Sequence, residues 1–218
     1  MVDGGLENKK DSFYSSIFKR FLDIIVGLIG TVVLFVPFSI IIFLIYKVKG
    51  YSGSIYFTQE RNGLHGRKFK IIKFRSMVEN AEEVLKSNEE LYQKYVANSY
   101  KLPPNDDPRL TNIGSFIRKT SVDEFPQFIN ILKGDMSLIG PRPILDWELK
   151  EYNTEGQQKL LSVKPGATGW WQVSGRSEVM YPERCDLELY YVEHISFWFD
   201  LKILILSIKK ILLKEGAH

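Results

Sequence analysis

Phe21-Leu-Asp-Ile-Ile-Val-Gly-Leu-Ile-Gly-Thr-Val-Val-Leu-Phe-Val-Pro-Phe-Ser-Ile-Ile-Ile-Phe-Leu-Ile-Tyr46 is apolar apart from Asp23, Thr31 and Ser39. Crossing a bilayer core as a helix takes about 20 apolar residues, so the run is long enough to span. It is too long for the apolar core of a signal peptide, and no small-residue cleavage site follows. The run therefore holds the chain at a membrane. Pro37 complicates the simplest version of that reading, because a proline inside a helix withholds a hydrogen bond and clashes with the preceding turn. It divides the run into arms of roughly 15 and 9 residues, about 22 Å and 14 Å as helix. Neither arm alone crosses a core of about 30 Å. The flanks are basic on both sides, with Lys19 and Arg20 before and Lys47 and Lys49 after; Lys9 and Lys10 add to the first. A spanning helix favours Lys and Arg on one side. The residues leave two readings open: a re-entrant, Pro-broken helical hairpin and a kinked span.

The remainder reads as one globular domain of ordinary size. A net charge of +3 suits an anionic membrane or phosphorylated ligands and is too small to argue for nucleic acid. The lone cysteine, Cys185, excludes an internal disulfide, fits a reducing cytoplasm and reads as a bland packed residue. Ile55–Glu60 and Lys68–Phe74 flank an Asn-Gly turn signal and predict a β-hairpin. Glu79–Val96 predicts an amphipathic helix with Val84, Leu85, Leu91, Tyr92 and Tyr95 on its apolar side. Pro103, Pro104 and Pro108 make Lys101–Asn112 a loop. Thr120 or Ser121 can cap a helix over Phe125–Leu132. Gly140-Pro-Arg-Pro143 is a stiff loop, a helix is expected over Leu145–Tyr152, and Val163–Gln172 is expected to be irregular. Leu187–Val192 opens the last helical region. In Phe197–Lys214, Trp198, Leu201, Leu204, Ile205, Ile208, Ile211 and Leu212 recur at helical spacing, with Lys202, Lys209, Lys210 and Lys214 mostly off that stripe. Such a helix suits the membrane interface or a packed position on the core. The class is α+β, helix-dominated, with one small hairpin.

The chemistry-bearing cluster is Asp123-Glu124. Two adjacent acids are ordinarily solvated, but Arg118 and Lys119 precede these by a turn, and Arg142 follows in the Pro-clamped loop. A carboxylate nucleophile needs positive charge nearby to stay ionised and to hold an anionic substrate in line. Arginine's planar fork suits phosphate oxygens. A helix N-terminus would add backbone donors for the same anion, and Mg²⁺ takes one or two carboxylates plus phosphate oxygens. These residues together predict phosphoryl transfer at a membrane. A hydrolytic triad is disfavoured, because His65 lies in a turn and His194 precedes an apolar helix.

Arg118-Lys-Thr-Ser-Val-Asp-Glu-Phe-Pro-Gln127, followed by Asn130-Ile-Leu-Lys-Gly-Asp-Met-Ser-Leu-Ile-Gly-Pro-Arg-Pro143, closely resembles the bacterial sugar transferase family. These are the monotopic polyprenyl-phosphate phosphoglycosyl transferases. Further matching blocks are Lys19-Arg-Phe-Leu-Asp23, Phe57-Thr-Gln-Glu-Arg-Asn-Gly63, Lys73-Phe-Arg-Ser-Met77, Asp107-Pro-Arg-Leu-Thr111, Lys164-Pro-Gly-Ala-Thr-Gly-Trp170, Gln172-Val-Ser-Gly-Arg176 and Tyr191-Val-Glu193. They run through most of the chain, leaving out only the first dozen or so residues and an insert around Asn88–Lys101. The chain has Val122-Asp-Glu-Phe125 where the family usually has Leu-Asp-Glu-Leu, a change that spares the acids.

The resemblance implies that Asp123 attacks the phosphorus nearest the sugar of a UDP-sugar. UMP leaves, a covalent phosphosugar-aspartate forms, and undecaprenyl phosphate takes the sugar phosphate as a lipid diphosphate. It makes Glu124 a proton acceptor or, with Asp123, a Mg²⁺ ligand, and Arg118 and Arg142 phosphate holders. Arg75, Gln172, Arg176, Asp186 and Glu188 are weaker substrate-binding candidates. It implies the first membrane step of capsule, exopolysaccharide or glycoconjugate assembly, at the cytoplasmic face of a bacterial plasma membrane. The expected organisation is that of the minimal, catalytic-domain-only members. Residues 1–20 are then a lead-in, 21–46 a re-entrant hairpin and 47–218 the catalytic domain. A homodimer is compatible with such an enzyme. Trp170-Trp171 suits either the interface or the core. The rival classes are a membrane-tethered regulator, which predicts a damaged dyad, and a lipid phosphatase, which predicts water as acceptor.

Overall fold

A computed structural model of the chain describes residues 14–97, 102–103, 106–175 and 179–213. After a short π-helical lead at Tyr14–Phe18, the apolar run forms α1 (Lys19–Gly30), a π segment (Thr31–Phe35) and α2 (Val36–Lys49). Taken together, Lys19–Lys49 is the one described helix long and apolar enough to cross a membrane by length and composition. The helix carries on through Pro37. The expected irregularity sits just before the proline, where the Val36 N–H reaches back to the Thr31 carbonyl. Widening the turn in this way is a usual accommodation near a helical proline. Each polar residue of the run is satisfied. Thr31 Oγ1 donates to Gly27 O at 2.7 Å and Ser39 Oγ to Phe35 O at 2.6 Å. Asp23 is buried and accepts from Ser137 Oγ and the Leu138 N–H at 3.0 and 2.8 Å.

The globular part begins with a hairpin of β1 (Tyr56–Asn62) and β2 (Lys68–Phe74), paired antiparallel from Tyr56↔Phe74 to Asn62↔Lys68. Asn62 remains in the ladder, so the turn is a five-residue loop rather than a two-residue Asn-Gly turn. Its positive φ angles fall on His65 (55°) and Gly66 (75°). The single helix expected over Glu79–Val96 is two, α3 (Ala81–Lys86) and α4 (Glu89–Ala97). Asn88 separates them, its Oδ1 accepting the Leu91 N–H and so capping a new start. Next come α5 (Asn112–Lys119), capped by Thr111, and α6 (Gln127–Lys133), closed by Gly134 at φ 85°. The strand β3 (Ser137–Ile139) follows. The helix expected over Leu145–Tyr152 is only α7 (Asp146–Leu149). Asn153 opens α8 (Thr154–Leu160) by accepting the Gly156 N–H.

The stretch expected to be irregular holds β4 (Gly166–Thr168), parallel to β3, and α9 (Trp170–Ser174). The chain closes with α10 (Glu183–Glu193) and α11 (Phe197–Leu213). Trp171 is buried and Trp170 packs on Phe199 and Tyr190, so both belong to the core. Cys185 is likewise buried. Along α11, Asp200 and Ile203 face inward while Trp198, Ile205 and Ile208 are exposed, so the helix has a packed face and an apolar outer face.

The apolar helix lies along this body over its whole length. Gly27 packs on the Leu132 side chain and Gly30 on the Phe128 ring, both from α6 or its approach. Further on, Phe35 stacks on Phe74, Phe38 meets Phe125 edge-on at 5.1 Å, and Ile42 and Tyr46 are buried with Phe74, Ile117 and Val122. Its other side exposes Phe21, Leu28, Ile29, Val32, Val33, Ile40, Ile41 and Leu44, an apolar stripe that calls for a lipid or protein partner.

Asn130 fastens α6 to β2. It is buried, donates Nδ2 to Lys70 O at 2.8 Å and accepts the Ile72 N–H at 3.1 Å. Leaving buried backbone groups unpaired costs about 1–3 kcal/mol each. Asn130→Leu is therefore expected to lower the melting temperature in detergent by several degrees; an unchanged transition would show that the clamp contributes nothing.

Candidate active site

The Asp-Glu pair does not open an α-helix. Ser121, at φ 56°, ends α5, and Val122–Glu124 forms a single 3₁₀ turn with no side-chain cap. The helix-start donors expected from the sequence are therefore not at Asp123, since α6 begins only at Gln127. What holds the turn is apolar packing: Val122 sits in the cluster with Ile42, Tyr46, Phe74 and Ile117.

Both acids face Lys73 on β2. Its Nζ lies 2.7 Å from Glu124 Oε1 and 4.0 Å from Asp123 Oδ2. Asp123 is buried, and burial pushes its pKa up to about 6; Glu124 adds to the rise, while Lys73 and Arg118 oppose it. A small cleft opens beside the pair, lined by Lys73, Glu124, Gln127, Arg142, Gln172 and Arg61 among others. The loop carrying Arg142 is fixed from below. Gly166 N–H donates to Pro141 O at 2.7 Å, Gly140 N–H to Thr168 O at 2.9 Å, and a Cβ on Gly166 would lie 2.1 Å from Gly140 N. Only glycine permits that backbone approach. From the other side, the buried Glu188 accepts the Arg142 N–H at 3.2–3.3 Å, and burial pushes its pKa up to about 7.

The sequence candidates thus separate. Glu124, Arg142 and Gln172 line the cleft, with Asp123 beside Lys73 at its edge. Arg118 donates Nε to Ser76 Oγ at 2.9 Å, close enough to Asp123 for its charge to lower that acid's pKa. Arg75 is engaged elsewhere, with Glu79, the Ser52 carbonyl and the Tyr46 ring. Glu188 supports the Arg142 backbone, while Asp186 is exposed on α10. Arg176 lies outside the described residues. Asp123 and Glu124 offer two oxygen donors around one cationic position, which fits the small carboxylate share of a Mg²⁺ site. Among the described residues no group of three or more His, Cys, Asp or Glu could hold an ion, so substrate oxygens would supply the remainder.

Lys73, Arg61 and Gln127 join the site without having been singled out from the sequence. A signal existed for the first two. Phe69, Ile71 and Lys73 alternate onto one face of β2, and Arg61 pairs with Phe69 across the ladder, so both cations share a hairpin face with the buried Phe69 and Ile71. Gln127 carried no such mark; it follows Pro126 into the first turn of α6.

A family model described as bacterial sugar transferase matches residues 14–214. The galactosyl transferase CpsE of Streptococcus agalactiae is 44% identical over 200 residues, covering 91% of this chain and 43% of the relative. The undecaprenyl-phosphate galactose phosphotransferase of Salmonella typhimurium is 41% identical over 216 residues, covering 98% and 44%. The exopolysaccharide production protein ExoY of Sinorhizobium fredii is 38% identical over 204 residues, covering 92% and 88%. The chain thus spans less than half the length of the first two relatives and most of the third.

The site makes a prediction independent of any substrate. Followed by ¹³C NMR, the Asp123 carboxyl should titrate near pH 6. Lys73→Met removes a charge that favours the ionised form and should raise the midpoint; Glu124→Gln removes a repulsion and should lower it. Shifts in the same direction would refute this account of the pair.

Proposed function

The chain belongs to the bacterial sugar transferase family, and from that premise we propose that it transfers a sugar 1-phosphate from a UDP-sugar to undecaprenyl phosphate, releasing UMP. The observation that carries the reading is the convergence of Asp123, Glu124 and Lys73 beside Arg142. An Asp123 Oδ attacks the phosphorus next to the sugar, the bond to the UMP oxygen breaks, and UMP departs. A phosphate oxygen of the lipid then attacks the same phosphorus, and the Asp123 carboxylate leaves as the sugar-diphospholipid forms. Arg142 and Arg118 offset the phosphate charge, and the Lys73 ammonium keeps Asp123 ionised. Glu124, half-buried beside Asp123, is placed to accept the lipid phosphate's proton. In the alternative role, Glu124 with Asp123 and substrate oxygens would hold Mg²⁺, which would neutralise the charge that develops on the diphosphate.

The proposed setting is the cytoplasmic face of a bacterial plasma membrane, in capsule or exopolysaccharide assembly. Contacts from Asp23 to Tyr46 with a single globular body favour a segment that enters and leaves by one face, since a helix spanning lipid would meet that body only near one end. Homodimerisation belongs to the same proposal as a compatible arrangement.

Two experiments test this. Asp123→Asn should reduce UMP release from UDP-sugars by about 10³-fold or more while the melting transition persists; near-normal turnover would remove Asp123 as nucleophile. In a Cys185→Ser background, cysteines at Ile17 and Val48, both exposed, should resist an impermeant maleimide added outside spheroplasts and react after lysis. Labelling of either one from outside would rule out re-entry.

A further inference from the structure

We propose that Arg61 is a phosphate-binding residue of the cleft, positioned there by Glu148, an inference that rests on the sugar-phosphate transfer just described. Arg61 lines the cleft with Lys73, Glu124, Arg142 and Gln172. Its Nη1 donates to Pro143 O at 3.0 Å and to Glu148 Oε2 at 3.1 Å, and its Nη2 donates to Gln59 Oε1 at 2.6 Å. Nε has no hydrogen-bond partner. Glu148 divides itself between two arginines, since Arg184 Nη1 lies 3.1 Å from its other oxygen, and Nε and Nη2 of Arg184 also lack hydrogen-bond partners.

Arg142 and Arg184 both bear on Arg61, and the carboxylates beside the three are Glu148 and the fully buried Glu188, which lies 3.9 Å from Arg184 Nε and accepts the Arg142 N–H. Burial above all, and then the Arg142 guanidinium and, more weakly, that of Arg184, pull the Arg61 pKa down to about 10 against the opposing charge of Glu148. Guanidinium donors that are buried and unmatched are costly, and an anion arriving in the cleft offsets that cost. The ligand that fits is phosphate, an oxygen of which would accept from the unpaired Arg61 Nε–H beside Arg142. Both substrates of the proposed reaction carry one: the diphosphate of the nucleotide sugar and the monophosphate of the lipid. A purely structural Arg61, bracing the Pro-Arg-Pro loop through the Pro143 carbonyl, would lower anion binding only in step with a loss of melting temperature.

The test uses the full chain in nanodiscs, with Arg61→Lys, which keeps the charge and loses the fork, and Arg61→Met. Inorganic pyrophosphate and UDP are titrated calorimetrically, and KM is measured separately for the UDP-sugar that supports UMP release and for undecaprenyl phosphate. Pyrophosphate affinity is expected to fall at least tenfold in both variants, with melting temperature reported alongside. A matching rise in the donor KM alone assigns the donor's diphosphate to Arg61; a rise in the acceptor KM alone assigns the lipid phosphate. Unchanged pyrophosphate affinity and unchanged KM values in folded Arg61→Lys overturn the proposal, and that variant decides should Arg61→Met fail to fold. A wild-type protein that binds pyrophosphate through Arg61 yet releases no UMP would sink the transfer reaction and leave the anion site standing.

Discussion

The position of Asp123 depends on the packing of the apolar helix against the turn that carries it. Ile42 and Tyr46 are buried with Val122, the residue immediately before Asp123, and Phe38 meets Phe125, two residues after it. A 3₁₀ turn of three residues has little stability of its own, since it closes few hydrogen bonds for the dihedrals it fixes. Here it is shaped by aromatic and aliphatic contacts from a helix whose opposite side is apolar and exposed. The Asp123 carboxylate is thereby tied to whatever medium covers that side. For the proposed transfer from a water-soluble donor to a lipid acceptor, this would set the height of the Asp123 carboxylate relative to the lipid surface.

The start of the helix is secured by charge as well as by packing. Lys19 pairs with the buried Asp200 of α11, which also accepts hydrogen bonds from Tyr14 and Tyr191. Arg20 donates to the carbonyls of Ile131 and Leu132 in the last turn of α6, where cations complement the helix dipole. Lys19 and Arg20 are therefore committed to contacts within the protein. Lys47 and Lys49, at the other end, are exposed and remain available to anionic headgroups. The two basic flanks look alike as sequence and differ in the structure, one spent on contacts within the protein and the other facing outward.

Local patterns made the apolar run, the hairpin and the amphipathic last helix legible, because periodicity and turn chemistry are written over short windows. Asp123, Glu124 and Arg142 were legible through the family resemblance and their charged neighbourhood. The β3–β4 pair was hidden, because three-residue strands carry almost no pattern and these are held by a Gly140–Gly166 backbone contact between distant segments. The role of Glu188 was hidden for the same reason: a glutamate on a helix normally faces water, and only the tertiary fold brings the Arg142 N–H to it. Arg75 shows the converse. Its place in a matching block made it a substrate-binding candidate, yet the structure uses its guanidinium to join Ser52, Glu79 and Tyr46 after the hairpin.

The proposed two-step chemistry places opposing demands on Asp123, and its surroundings address both. Attack on phosphorus is favoured by a carboxylate that is weakly hydrated and somewhat basic, and burial supplies this by raising the pKa to about 6. At neutral pH such a group is still mostly ionised, so little of the enzyme is lost to the protonated form. The second step needs the same carboxylate to depart, which is easier when its returning negative charge is stabilised. Lys73 and Arg118 supply that stabilisation from fixed positions, and neither has to move between steps. A more deeply buried acid without those cations would be protonated at neutral pH. One fully exposed to water would be a poorer nucleophile, so the half-reactions are balanced by a carboxylate that is buried but flanked by positive charge.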